Sequence, residues 1–177
     1  AVYHYNSQGE MTRLIHFRSG LGGTLPNIDT FFYENNFLAR VDYNLYYTIR
    51  DVPYARTDFV YNDGKIVRAN MYYGQLVGLS TIASYSTFTY NSLGQITDVH
   101  EEGIVWPGGE TITTRFEYDN RGNLSKIFLK DSQFPQEYLE SEFLDYDDHP
   151  NPYYKMPWES VNEFYIYYRN RLSPNNV

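Results

Sequence analysis

The stretch YNSQGEMTRLIHF, Tyr5 to Phe17, returns in altered form as YNDGKIVRANMYY from Tyr61, YNSLGQITDVHEE from Tyr90 and YDNRGNLSKIFLK from Tyr118. Aligned on the tyrosine, six copies stand at Tyr5, Tyr33, Tyr61, Tyr90, Tyr118 and Tyr146, at intervals of 28, 28, 29, 28 and 28 residues. Two residues before each lies another large apolar group: Tyr3, Phe31, Phe59, Phe88, Phe116 and Leu144. A fixed period of this length marks a chain built from one repeated supersecondary unit.

A turn signal follows each of the first five tyrosines. Three copies close on Gly9, Gly94 and Gly122; the third copy is shorter, Asn62-Asp63-Gly64, and the second has Asn36 in the glycine position. Asparagine is the ordinary residue that best tolerates a left-handed backbone. Asp63-Gly64 predicts a two-residue hairpin loop, and Ser7-Gln8-Gly9 a three-residue loop whose glycine takes the left-handed position and forms a bulge. Either loop sets Tyr5 opposite Met11, Tyr33 opposite Leu38, Tyr61 opposite Ile66, Tyr90 opposite Ile96 and Tyr118 opposite Leu124, all aromatic–aliphatic cross-strand pairs. Regular pairing continued one step outward sets Tyr3 against Arg13, Phe31 against Arg40, Phe59 against Arg68, Phe88 against Asp98 and Phe116 against Lys126. Four of those five are cations facing rings. Leu14, Val41, Ala69, Val99 and Ile127 then fall on the opposite face. Both faces are apolar in this reading, and periodicity alone leaves open which is buried.

The period thus divides into one strand into the turn, one strand out, and a variable connection. Those connections are Ser19–Asn27, Arg50–Ala55, Gly74–Gly78, Glu101–Glu110 and Lys130–Glu137, with SGLGG (Ser19 to Gly23) read as a flexible loop. The fold expected is all-β: a repetitive antiparallel hairpin meander of ten to twelve strands over residues 1–177, read as one domain. A sheet that wide is expected to twist and curl strongly. In the sixth copy Pro150 and Pro152 replace the glycine turn, and a proline cannot donate to a ladder. Residues 147–177 are therefore read as a Pro-rich loop and a short C-terminal cap, with Trp158 packing in the cap. The stretch Trp158–Leu172 fits either a helix capped at Ser160 or a strand. The chain opens in mid-phrase at AVYHYNSQGE and ends on SPNNV, which predicts that a leader and C-terminal residues have been removed.

The absence of cysteine excludes disulfides and thiolate chemistry. A net charge of −8 argues against a nucleic-acid partner. No apolar run is long enough to cross a membrane as a helix, and no signal peptide is read.

The phrase Tyr-Asp/Asn-x-x-Gly-x-Leu/Ile-x-x-Val/Ile, carried at Tyr5, Tyr90 and Tyr118 and one residue shorter at Tyr33 and Tyr61, resembles the YD repeat of RHS-like proteins. The ending YDDHPNPYY (Tyr146 to Tyr154) is similar to that of small exported YD-repeat lipoproteins of Bacteroidetes. The resemblance covers nearly the whole chain. It implies a protein exported to the cell surface, outer membrane or periplasm, with any lipid anchor outside these residues. Large RHS proteins wrap such repeats into shells around toxins; five complete copies are too few to enclose a protein.

Chemistry-bearing residues are sparse. His4, His16, His100 and His149 lack metal-ligand spacing and read as strand or turn residues. Asp145, Asp147 and Asp148 form the densest carboxylate cluster, with oxygens suited to Ca²⁺; turn formation before Pro150 is the competing reading. No other cofactor is indicated. Glu101 and Glu102 are candidate ligand-binding carboxylates, but neighbours on a strand point to opposite faces and cannot flank one glycosidic bond. Trp106, in the glycine-rich VWPGGE connection, is placed to stack on a sugar or to anchor a partner, or to fold back on the sheet. Three functions follow: a non-catalytic envelope module that binds a glycan or a protein through variable loops, a hydrolase of extracellular polymers using carboxylates such as Asp145 and Asp147, or a structural spacer. The first is preferred, because loops on a rigid scaffold are where binding sits.

Overall fold

The computed structural model describes residues 2–20, 23–45, 53–74, 79–103, 109–144 and 146–147; of 16–20, 23–25 and 45 it describes the backbone. Eleven strands follow one another along the chain: β1 (Val2–Tyr5), β2 (Met11–Gly20), β3 (Gly23–Glu34), β4 (Phe37–Leu45), β5 (Ala55–Asn62), β6 (Lys65–Tyr73), β7 (Ser84–Tyr90), β8 (Ile96–Gly103), β9 (Thr111–Tyr118), β10 (Leu124–Asp131) and β11 (Tyr138–Glu142). Their order in the open antiparallel sheet is their order in sequence, from β1 to β11. No helix occurs among the described residues. The chain divides into two compact units, Ala1–Tyr85 and Ser86–Val177. The C-terminal cap expected beyond Asp147, including Trp158, lies outside the described residues.

The turns form as the sequence dictates. In the two short copies Asn35 (φ 52°), Asn36 (φ 66°), Asp63 (φ 49°) and Gly64 (φ 74°) are all left-handed, with Glu34 paired to Phe37 and Asn62 to Lys65. Two successive left-handed residues are what a two-residue hairpin of matching twist requires. The three long copies share a different device. The Asn6 amide donates to the Glu10 carbonyl at 2.9 Å, and the Gly9 amide donates back to the Asn6 carbonyl at 3.1 Å. Asn6 Oδ1 also accepts from the amides of Gln8 (3.0 Å) and Glu10 (2.9 Å). Asn91 repeats this with Leu93 and Gln95, both at 3.0 Å, and Asp119 with Arg121 and Asn123, both at 2.8 Å. The side chain after each tyrosine therefore satisfies two loop amides that the ladder leaves without partners. The polar residue after the glycine closes the arrangement, since Asn6 Nδ2 donates to Glu10, Asn91 Nδ2 to Gln95, and Asn123 Nδ2 to Asp119.

The tyrosine pairs adopt the expected register in every hairpin whose pairing is described: Tyr5–Met11, Tyr33–Leu38, Tyr61–Ile66 and Tyr118–Leu124. The next pair does not. A bulge skips Thr12, Ala39, Val67 and Ser125 in the outgoing strands. Tyr3 therefore faces Leu14, Phe31 faces Val41, Phe59 faces Ala69 and Phe116 faces Ile127, not the charges expected. An extra residue on one strand shifts everything beyond it to the other face. The two apolar faces of the sequence reading thus become one.

That face is the buried one. In the first unit Met11, Leu14, Phe31, Leu38, Val41 and Tyr43 form a cluster with Ala55, and Tyr33, Tyr54, Phe59 and Tyr73 pack on it. In the second, Ile96, Val99, Phe116, Leu124 and Ile127 are buried. Full burial of a side chain of this size contributes about 1.5–3 kcal/mol.

Cations on the opposite face do cover rings: Arg40 and Arg68 take different rings from those expected, and Arg56 and Arg115, for which the sequence set no ring, cover one as well. Arg40 lies 3.9 Å over Phe32, Arg56 4.3 Å over Tyr72, Arg68 3.9 Å over Tyr85 and Arg115 4.0 Å over Phe128. The SGLGG segment is also not a loop over its whole length: Ser19 pairs with Thr24 and Gly20 with Gly23, which leaves a two-residue connection. The sixth copy departs again, because β11 ends at Glu142, before its tyrosine. Tyr146 is nevertheless seated like its counterparts, with its hydroxyl on the Leu124 carbonyl at 2.5 Å and its own carbonyl on Arg121 Nη2 at 3.1 Å.

Candidate functional site

In the second unit the strand ends away from the Tyr-Asx turns carry the β8–β9 and β10–β11 connections. β8 ends at Gly103 and β9 begins at Thr111, and the Gly103 amide donates to the Glu110 carbonyl at 3.0 Å, closing the base of the connection that holds Trp106. The Ser132 amide, in the connection between β10 and β11, donates to the Thr111 carbonyl at 3.0 Å and ties the second connection to the foot of the first.

The second connection is locally fixed. Asp131 Oδ1 accepts from the amides of Gln133 (2.8 Å) and Phe134 (2.6 Å), an Asx turn that uses the aspartate's own acceptor capacity. Pro135 follows and restricts both itself and Phe134. This rigid bend leaves Phe134 62% exposed. Its ring meets that of Tyr138 edge-on, with centroids 6.4 Å apart and planes at 81°. Such edge-to-face pairs hold their geometry through the ring quadrupoles. Tyr138 and Leu139 are exposed beside it.

The start of β11 is clamped from β9. Arg115 Nε and Nη2 donate to the two oxygens of Glu137 at 2.9 and 2.7 Å, and Nη1 donates to Glu117 at 2.6 Å. The same guanidinium stacks on Phe128, its direct cross-strand neighbour. The Arg115 hydrogen bonds hold the Glu137 carboxyl below its ordinary range against the opposing effect of burial. The bonds from Glu137 and Glu117 in turn raise Arg115. A bidentate, stacked arginine is the arrangement for which lysine is no substitute.

The residues singled out from sequence fall as follows. Trp106 lies outside the described residues, although the base of its connection is described. Glu101 and Glu102 are strand residues of β8, paired with Ile112 and Thr111, so they project to opposite faces. Glu101 Oε1 accepts from Ser86 Oγ at 3.3 Å. Asp147 is exposed, while Asp145 and Asp148 lie outside the described residues. Among the described residues no three His, Asp or Glu side chains converge as metal ligands would. His4 is exposed, and the His100 ring shares a 3.1 Å hydrogen bond with Thr113. Phe134, Tyr138 and Arg115 were not singled out from sequence. The available signal was FPQEY (Phe134 to Tyr138), an aromatic held between turn residues and a proline.

No family model and no curated protein matches the chain. One solved structure that does match is described as "Crystal Structure of TcdB2-TccC3-TEV". It is similar over 78% of this chain and 7% of that chain, at 16% identity and a TM-score of 0.46.

Proposed function

We propose that the chain is a YD-repeat, RHS-like module of the cell envelope, exported and non-catalytic, which binds a glycan through the connections at the loop end of its second unit. The observation that supports this reading is the exposed Phe134–Tyr138 ring pair on a bend fixed by Asp131 and hydrogen-bonded to the foot of the Trp106 connection. Aromatic faces on a pre-set loop bind without a large ordering cost. The net charge of −8 favours uncharged sugars over acidic ones. An envelope protein is the competing partner. A hydrolase built on Glu101 and Glu102 is disfavoured by their opposite orientations. The test is a glycan array probed with the wild type, Phe134→Ala and Trp106→Ala. A neutral-glycan signal that drops at least tenfold in either variant supports the reading. No signal from the wild type, or equal signal from all three proteins, removes it.

A further inference from the structure

Arg115 and Tyr138 stand on opposite faces of the second unit's strands. Phe128 pairs with Arg115, and the next residue, Leu129, pairs with both Thr114 and Tyr138. Paired residues share a face, and neighbours along a strand alternate. Tyr138 therefore lies on the side of the buried Thr114, and Arg115 on the other. Glu137 precedes Tyr138 and points to the Arg115 side, where both its oxygens accept from that guanidinium at 2.9 and 2.7 Å.

The pairing of β11 does not fix this arrangement alone. A bulge skips Glu140, since Ile127 faces Ser141 and Phe128 faces Leu139. Only two pairs, Phe128–Leu139 and Leu129–Tyr138, lie between the bulge and the connection that carries Phe134. A slip of one residue there would turn Tyr138 to the far face, away from Phe134. The bond from Arg115 to Glu137 opposes that slip, because it anchors the neighbour of Tyr138 to β9, two strands away. Stacking on Phe128 at 4.0 Å and the 2.6 Å bond to Glu117 hold the guanidinium itself in place.

We infer that Arg115 is the positioning residue of the loop-end aromatic site: it acts through the sheet, fixing the face that Tyr138 takes and so the posture of the Phe134–Tyr138 pair, without touching the ligand. The inference rests on the glycan reading for its ligand, but not for its geometry. If only the assembled ring pair binds, apparent affinity follows the fraction of molecules that hold it.

Arg115→Lys keeps the charge and loses the fork that reaches both oxygens of Glu137. Glu137→Gln keeps the shape and loses the charge; Glu137 is 41% exposed, so this variant keeps the fold even where Arg115→Lys does not. Each is expected to weaken the NOE between the Phe134 and Tyr138 rings of the free protein about threefold to tenfold, and to lower the signal on an array of neutral glycans by the same factor. Glu117→Gln alters the guanidinium's other partner, within β9, and is expected to leave both readouts at the wild-type level, which a merely structural role of Arg115 would not predict. An unchanged ring NOE in Glu137→Gln, or an equal loss in Glu117→Gln, overturns the inference. So does a weakened NOE with undiminished glycan signal. A wild type silent on the array removes the glycan reading and leaves the ring NOEs to decide the positioning role.

Discussion

The hydroxyl of Tyr118 reaches back across the hairpin boundary and donates to the carbonyl oxygen of Ile96 at 2.7 Å. Phenylalanine would fill the same space and make the same cross-strand contact with Leu124, so this bond is what a tyrosine adds at the repeated position. Tyr118→Phe is expected to lower stability by about 1 kcal/mol, the net worth of one partly buried hydrogen bond. Tyr5→Phe, whose hydroxyl is exposed, is expected to stay within about 0.5 kcal/mol of the wild type. Urea denaturation of the two variants side by side checks this; equal losses would mean that the hydroxyls do not tie repeat to repeat.

The turn aspartate makes a pH-dependent contribution. Burial pushes the Asp119 carboxyl up, but the Asn123 amide and side chain and the Arg121 amide together outweigh it, and the net shift is below the ordinary 3.8. A carboxylate lowered by folding stabilises the folded state fully above its unfolded value, and that contribution is lost as pH falls through the folded value. Asn6 and Asn91 accept the same two amides in the sister turns, so Asp119→Asn keeps the turn and removes the titration. Its stability is expected to fall less steeply than that of the wild type below pH 3.8. Asp119→Ala leaves the loop amides of Arg121 and Asn123 without an acceptor and is expected to cost about 1–2 kcal/mol at neutral pH. Thermal melts of both variants from pH 2 to 7 give the comparison.

Asp42 has the opposite sign. It sits on the cation face with Arg40 Nε 3.2 Å from its Oδ1, yet burial raises its carboxyl above 3.8 despite Arg40 and Arg56. The ion pair is close but poorly aimed, since neither Arg40 Nε nor Asp42 Oδ1 gains a hydrogen bond. A carboxyl raised by folding binds its proton more tightly in the folded state. Stability therefore declines as pH rises from the unfolded value through the folded one, and the ionised group remains a cost above it. Asp42→Asn is expected to be neutral or stabilising at pH 7, with its advantage over the wild type shrinking as pH falls below that window. A destabilised Asp42→Asn at pH 7 with no pH dependence would show that the Arg40 pairing outweighs desolvation.

The repeat, the turns and the strand order were legible because tyrosine, Asx and glycine recur at fixed offsets with a direct backbone meaning. The side on which each charge falls was not, because the bulge is carried by ordinary residues: Thr12, Ala39, Val67 and Ser125 announce nothing individually. The signal lay in the apolar spacing. Met11 and Leu14, Leu38 and Val41, Ile66 and Ala69, and Leu124 and Ile127 are each three apart, which strict alternation cannot set on one face and a bulge can. Of the loop-end site, the glycine-rich connection was visible in sequence. The ring pair was not, because it depends on the Asx turn at Asp131 and on a clamp from Arg115, a residue 22 positions from Glu137.

The account rests on a bulge beside Tyr5, Tyr33, Tyr61 and Tyr118 that brings Leu14, Val41, Ala69 and Ile127 to the face of Tyr3, Phe31, Phe59 and Phe116, and one NOESY spectrum of the labelled protein tests it most directly. Backbone contacts across the β9–β10 pair are expected to join Phe116 to Ile127, with the Tyr118 ring close to Ile96. Contacts joining Phe116 to Lys126 instead would restore regular pairing, return the charge to the ring and contradict the single buried face.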